Sequence, residues 1–365
     1  MRSTAHALSG ERGMDMKRRK EVSLKDIAAK MGLTVHTVSK ALRGRHGMSE
    51  ETRRQVFRTA REMGYRTKAQ ELSLAIGGVA RYGGKQHRFV LATERDGGIV
   101  DVLGEGIRER LAELGHRLDR IACPVRAKTP SALREWVERS GIPYASGIFI
   151  APLLSPALEK ALLELPSPKI LLNYPKAGVE ADSVVWDVYD AMARCVDVLA
   201  EAGHTRIVYA GHTEGHRGFR LRWQAFKEAL ADNGIRLDPR ECLLEPAPTL
   251  ERWIRAFAEK RERLRPTAVI CAVEYLLPWV AAACEALRIA VPDEVSVVSL
   301  ETSESAAFPN ITCPALPVRD TGARAADRML WRIANPHLPY EHSRLMCRWR
   351  EGDTVRKVIM NKMTK

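Results

Sequence analysis

The sequence predicts an α/β protein, with an N-terminal all-α helix-turn-helix domain followed by two doubly wound parallel-sheet subdomains. Three observations predict it. Residues 22–63 carry three short apolar stripes at helical spacing, the first two parted by a glycine. From residue 89 onward, short apolar runs alternate with amphipathic helices, as strands of a parallel sheet covered on both faces do. The chain has 365 residues, too many for one small domain and enough for two or three.

Composition narrows the class. Hydrophobic residues make up 45% of the chain, which permits sizeable cores. No apolar run reaches membrane-spanning length and no secretory leader is visible, so a soluble, cytoplasmic, nucleoid-associated protein without a membrane partner is expected. The seven cysteines are scattered and form no CxxC pair. They are expected to be reduced thiols, with no metal and no cofactor. The net charge of +13 is uneven: residues 1–72 hold 17 Lys/Arg against 8 Asp/Glu, and the rest hold 41 against 37. A basic N-terminal end favours a polyanionic partner, because each phosphate neutralised releases a counterion.

Residues 1–20 lack apolar periodicity and are expected to be a disordered basic tail, ending in Lys17-Arg18-Arg19-Lys20; Met14 or Met16 could be the true start. Residues 21–66 form the helix-turn-helix domain. Leu24, Ile27, Ala28 and Met31 make the first stripe. Ser23 with Asp26 forms a capping box, with Asp in place of the usual Glu. Gly32 stops the helix. Thr34 caps a second helix whose buried stripe is Val38, Ala41 and Leu42. Its outer face carries Val35, His36, Thr37, Ser39 and Lys40, side chains suited to phosphates and base edges in a major groove. An ordinary helical hairpin with a polar face is the plain alternative. Ser49-Glu50-Glu51 opens a third helix, acidic where the helix dipole favours it, with Val56, Phe57, Ala60 and Met63 as its stripe.

The run VSLKDIAAKMGLTVHTVSKALRGRHGMSEETRRQVFRTAREMGYR resembles the DNA-binding headpiece of the LacI/GalR family of bacterial transcription regulators. The "DIA", "TVSxAL" and "SxETRxxV…A…xGY" elements are all present. The resemblance implies that Val35, His36 and Lys40 read bases, while Thr34, Thr37 and Ser39 cap the helix and hold phosphates. Residues 67–88 then fall where the family has its hinge, and Leu74 matches the leucine that wedges into the minor groove and kinks the duplex. Thr67, Glu71 and Leu72 depart from the usual Pro, Ala and Arg. AIGGVARYGGKQHR (75–88) is a longer, glycine-rich linker than the family norm, and such linkers transmit orientation poorly.

In the core, strands are predicted at Arg88–Thr93, Gly147–Pro152, Lys169–Leu172, Ser183–Trp186, Arg206–Ala210, Ala268–Ala272 and Val295–Leu300. Helices are predicted at Val102–Leu114, Ala191–Ala202, Arg222–Asn233, Leu276–Leu287 and Thr321–Ile333. His212 and His216 are four apart, but in a glycine-rich loop without an evident third ligand. That loop lacks the Lys-Ser/Thr of a phosphate-binding loop, and no G-x-S-x-G elbow occurs. Nothing commits the chain to catalysis.

GIFIAP, SVVWD, EAGHTRIVYAG, RWQAFKEALADNGI, VPDEVSVVS and REGDT also fall in the order and spacing of the same family. They imply a periplasmic-binding-protein-like core over 89–365. The N-subdomain would span about 86–186 plus 317–344, and the C-subdomain about 187–316 plus 345–365. A ligand cleft would lie at the carboxyl ends of the strands, which offer Thr93, Glu94, Asp96, Asn173, Trp186, Asp187 and Glu274. Arg222 matches the cleft arginine of the family, able to grip hydroxyls or a carboxylate. Val273-Glu274 and Ser299-Leu300-Glu301-Thr302 replace the usual Asn-Asp and Gly-(Tyr/Phe)-Asp-Asp. The expected function is a homodimeric regulator, a repressor, on a pseudo-palindromic double-stranded DNA operator, controlled by a sugar-like small-molecule effector. The alternatives are a DNA-binding regulator with a ligand-independent core, and a catalytic core fused to a headpiece.

Overall fold

The computed structural model describes residues 22–42, 48–63, 65, 86–94, 97–123, 129–244, 249–301 and 306–358. The basic tail, residues 43–47 after the second helix, the hinge with Leu74, residues 75–85 of the glycine linker and Asp96 lie outside the described residues. The chain divides into two compact units, Met1–Lys68 and Ala69–Lys365.

The first unit holds α1 (Leu24–Met31), α2 (Val35–Leu42) and α3 (Glu50–Met63). The capping box at Ser23 is formed from both sides: Asp26 N–H donates to the Ser23 hydroxyl, and Ser23 N–H donates to the Asp26 carboxylate. Gly32 ends α1 in the left-handed region (φ 64°), where a side chain would be strained. Ile27, Ala28, Val38, Ala41, Val56 and Ala60 form one buried core. Phe57, assigned to the stripe of α3, is instead only half-buried and stands outside that cluster.

The second unit opens with β1 (Arg88–Thr93), α4 (Ile99–Glu113), β2 (Arg117–Ala122), α5 (Pro130–Arg139), β3 (Gly147–Ile150), α6 (Pro156–Leu163), β4 (Lys169–Leu171), β5 (Asp182–Trp186) and α7 (Val188–Glu201). It continues with β6 (Ile207–Gly211), α8 (Arg217–Asp232), β7 (Leu243–Leu244), α9 (Leu250–Leu264), β8 (Ala268–Cys271), α10 (Leu277–Ala286) and β9 (Ser296–Ser299). The chain then runs through β10 (Cys313–Ala315), α11 (Val318–Ala334), β11 (His342–Leu345) and β12 (Arg348–Arg350).

Two parallel sheets result, in the orders β11-β5-β4-β3-β1-β2 and β7-β6-β8-β9, with a small antiparallel pair β10-β12. Successive residues of a strand point to opposite faces, and both faces are buried. Phe89 and Leu91 of β1 enter one cluster with Val100, Ile107 and Met329, while Val90 and Ala92 enter another with Leu133 and Leu158. The second sheet repeats this: Val208 and Ala210 pack with Trp253 and Phe257, and Ile207 and Tyr209 with Phe226. That two-sided burial is why these strands read as continuous apolar runs.

α11 returns to the first sheet and crosses α4 closely. A Cβ on Gly106 would meet the backbone of Arg319, and one on Gly322 would meet the backbone of Leu103 and Ile107. Asp182 of β5 is fully buried, and its carboxylate takes hydrogen bonds from Arg328 (3.0 and 2.7 Å), Arg332 and the Glu341 amide (2.9 Å).

Candidate functional site

In the first unit, α2 presents its outer face. Val35 is 40% exposed, and His36 and Thr34 are exposed beside it; Thr37, Ser39 and Lys40 are half-buried. Thr34 Oγ1 accepts the Thr37 amide (3.1 Å) and lies 2.8 Å from the Thr37 hydroxyl. Thr34 is therefore a helix cap, and its hydroxyl is occupied in holding the start of α2. Val38 and Ala41 lie fully buried on the opposite side, so α2 is held from behind with its outer face open.

In the second unit, the named residues fall into two linked groups. The first surrounds Tyr174. Its hydroxyl donates to Trp186 O (2.9 Å) and accepts the Val188 amide (2.9 Å), while its own amide donates to Asn173 Oδ1 (2.8 Å). Burial pushes the Tyr174 hydroxyl well above its ordinary pKa, so it stays a neutral donor. Asp187 caps α7, accepting from the Tyr189 and Asp190 amides. Asn173 Nδ2 lies 3.2 Å from His216 Nε2, and His216 Nδ1 lies 3.2 Å from the Gly218 amide at the start of α8. A neutral imidazole accepts at one nitrogen only, so its tautomer chooses between these two. Burial first, then Arg222, Arg217 and Arg220, push His216 down to about 4.

The second group surrounds Arg222. The sequence placed it at the start of a helix; α8 begins at Arg217, and Arg222 sits in its second turn, buried. The apolar spacing began only at Arg222, whereas the cap at His216 adds a turn before it. Arg222 Nη1 donates to Ala272 O (2.8 Å), and Nη2 pairs with Glu301. The other Glu301 oxygen accepts the Glu274 amide (2.9 Å). Glu274 is exposed, and partial burial with the nearby Glu301 charge raises its pKa. His212 stacks on Phe219 (5.0 Å) and contacts Tyr275, itself 50% exposed. His212 and His216 thus have separate local tasks, stacking and capping.

Three candidates carry buried polar atoms with no hydrogen-bond partner among the described residues: Thr93 Oγ1, Trp186 Nε1 and Arg222 Nε. Buried polar groups are nearly always paired, so such atoms call for an explanation. Thr93 closes β1, Trp186 closes β5, and Arg222 lies on α8. Among the described residues no hydrogen bond ties Thr93 to the other two groups. Asp96 lies outside the described residues.

Two family patterns match. That of "Bacterial regulatory proteins, lacI family" covers residues 23–68, and that of "Periplasmic binding protein-like domain" covers residues 196–355. The chain belongs to the LacI family. It is a DNA-binding transcriptional regulator and not an enzyme. Relatives of this LacI-family chain include the HTH-type transcriptional regulator DegA of Bacillus subtilis, 24% identical over 83% of this chain and 89% of that one. They also include the HTH-type transcriptional regulator MalR of Streptomyces coelicolor (26%; 87% and 92%) and the HTH-type transcriptional repressor PurR of Vibrio vulnificus (23%; 92% and 99%). Solved structures of the same fold include a CelR–cellobiose complex (TM-score 0.62, 18% identity; 92% of this chain, 100% of that one). Another is a lac repressor dimer bound to operator and the anti-inducer ONPF (TM-score 0.62, 20% identity; 92% and 100%). No described helix of this LacI-family regulator is long and apolar enough to cross a membrane.

Sequence reading passed over Tyr174, His216, Phe219 and Tyr275 as parts of the site. Tyr174 directly follows Asn173 at the end of a strand, a position that could have flagged it. The aromatic cluster carried no local signal, because His212, Phe219 and Tyr275 meet only through the fold.

Proposed function

We propose that this LacI-family regulator binds a pseudo-palindromic operator as a homodimer, acts as a repressor, and responds to a sugar-like effector held in the core. Val35, His36 and Lys40 would contact base edges, and Thr34, Thr37 and Ser39 the phosphates. Leu74 would wedge into the minor groove. Thr93, Asp96, Asn173, Trp186, Asp187, Arg222 and Glu274 would surround the effector. The observation that carries this reading is the set of buried, unpaired polar atoms on Thr93, Trp186 and Arg222, donors of the kind that sugar hydroxyls satisfy. The aromatic surface of Phe219 and Tyr275 supports it, since apolar sugar faces stack on such rings. The CelR structure carries cellobiose and another of the same fold, from Enterococcus faecium, carries ribose.

Control would act through linkage. A ligand that favours one arrangement of the core changes operator affinity only by its differential affinity for the two states. The test is calorimetry of the full chain against mono- and disaccharides, with operator affinity measured in parallel. A ligand that binds and shifts operator affinity supports the proposal.

One observation favours a second reading, a core that works without ligand. Two of the three nitrogens of Arg222 are already tied to Ala272 O and Glu301. Glu301 stands where the family usually has the shorter Asp. A guanidinium held by its own chain is a structural strut. Absence of heat with every sugar, and constant operator affinity, would establish this reading instead.

A further inference from the structure

A pocket of about 400 Å³ lies on the flank of α8; its lining includes Tyr174 but not Arg222, Trp186 or Glu274. Its floor is one face of the edge pair β5–β11, where Ser183 faces His342 and Val185 faces Arg344 in register. Its wall is the α8 face carrying Arg217 and Arg220, three residues apart and so on one side of the helix. Among the described residues, three arginines and a histidine line it, and no carboxylate does.

The three guanidinium charges are not equally spent. Arg217 is held in a bidentate pair by Glu159 (3.0 and 2.6 Å). Among the described residues, Arg344 has only Asp187 as an acidic partner, at 3.9 Å, a carboxylate already capping α7, and it lies 5.7 Å from the Tyr174 ring. Arg220 is exposed and has no acidic partner among the described residues. Ser183 Oγ and His342 Nδ1 lie 3.0 Å apart on the floor. Like charges gathered round one concavity are stabilised by an anion, and the planar guanidinium fork fits oxyanions.

We propose that this pocket binds a small oxyanion-bearing metabolite through Arg220 and Arg344, two residues outside the proposed effector set but next to it through Tyr174. The volume exceeds that of an inorganic phosphate and falls in the range of small-molecule sites, so the oxyanion is one group of a larger molecule. A phosphate or a carboxylate could supply it. The floor belongs to the first sheet, and α8 packs its other face (Ala225, Phe226, Ala229) on the second. A bound anion therefore touches elements of both sheets and favours one placement of them.

Calorimetry of the full chain against pyrophosphate and against citrate, with sodium chloride at matched ionic strength, tests the proposal. Binding of either anion is expected, and which one binds names the chemical source. Arg220→Gln and Arg344→Gln, both at exposed positions, should each weaken it by about tenfold, the loss of one charge-assisted hydrogen bond. Glu274→Gln should leave it unchanged, which separates this site from the effector site. No heat from either anion, an equal effect of chloride, or full binding by both arginine variants overturns the proposal.

Discussion

Ser23 and Asp26 exchange hydrogen bonds across the first turn of α1, and their consequence is local. Ser23→Ala should lower the stability of the first unit by about 1 kcal/mol, read as faster amide exchange in α1 with the second unit unchanged. His216 gives the second residue-scale prediction. Its pKa falls from 6.5 in the unfolded chain to about 4 in the fold. Above pH 6.5 both states are neutral and His216 adds no pH dependence. Between 6.5 and 4 the unfolded chain takes up a proton that the folded chain refuses, so stability falls as pH falls. Below 4 the loss levels off at about 3 kcal/mol at most. His216→Asn, which keeps an acceptor at the cap, should flatten the dependence of the denaturant midpoint over that range; an unchanged slope would assign it to other groups. At this scale the sequence is legible where partners are near neighbours: Ser23 with Asp26, Thr34 with Thr37. The Arg222–Glu301 pair was not, because 79 residues separate its members.

At the scale of elements, α2 and the β5–α11 tie carry separate roles. If the outer face of α2 reads bases, His36→Ala or Lys40→Ala should cost about 1–3 kcal/mol on the operator and relax base preference. Equal losses on random DNA would show phosphate contact only. Asp182 accepts from Arg328 and Arg332, and all three are buried. Asp182→Asn would leave buried Arg332 without a carboxylate among the described residues and Arg328 with only the exposed Glu341 (2.7 Å), and should destabilise the second unit by about 3–5 kcal/mol, measured by chemical denaturation. Strands buried on both faces were legible, since each appears as an apolar run. The edge strand β2 (RLDRIA) was missed, because a half-exposed edge alternates charge with apolar residues. The helix α9 was missed as well: of its residues only Trp253 and Phe257 are buried, too narrow a stripe to stand out.

For the whole molecule, the two sheets, the DNA-binding unit and the segment between them must work together for ligand control to exist. If Leu74 wedges into the minor groove, Leu74→Ala should reduce operator bending, seen as altered mobility of circularly permuted fragments. An unchanged bend would show that the hinge does not insert. An effector that shifts operator affinity must itself bind more or less tightly once operator is present, by the same factor; titrations in both orders check that reciprocity.

Sequence alone determined the family, the helix-turn-helix unit and the alternating α/β core. Those follow from local caps, from apolar period and from motifs that are continuous in the chain. Tertiary structure decided what surrounds each functional side chain. It gave Arg222 its partners in Ala272 and Glu301, made Asp187 a helix cap, and left Thr93 and Trp186 with polar atoms unpaired among the described residues. It also brought Arg220 and Arg344, far apart in sequence, to the lining of one pocket. The physical reason is range. Caps and stripes are set by neighbours within a few residues, whereas burial and charge pairing depend on strands and helices that meet only after the chain has folded.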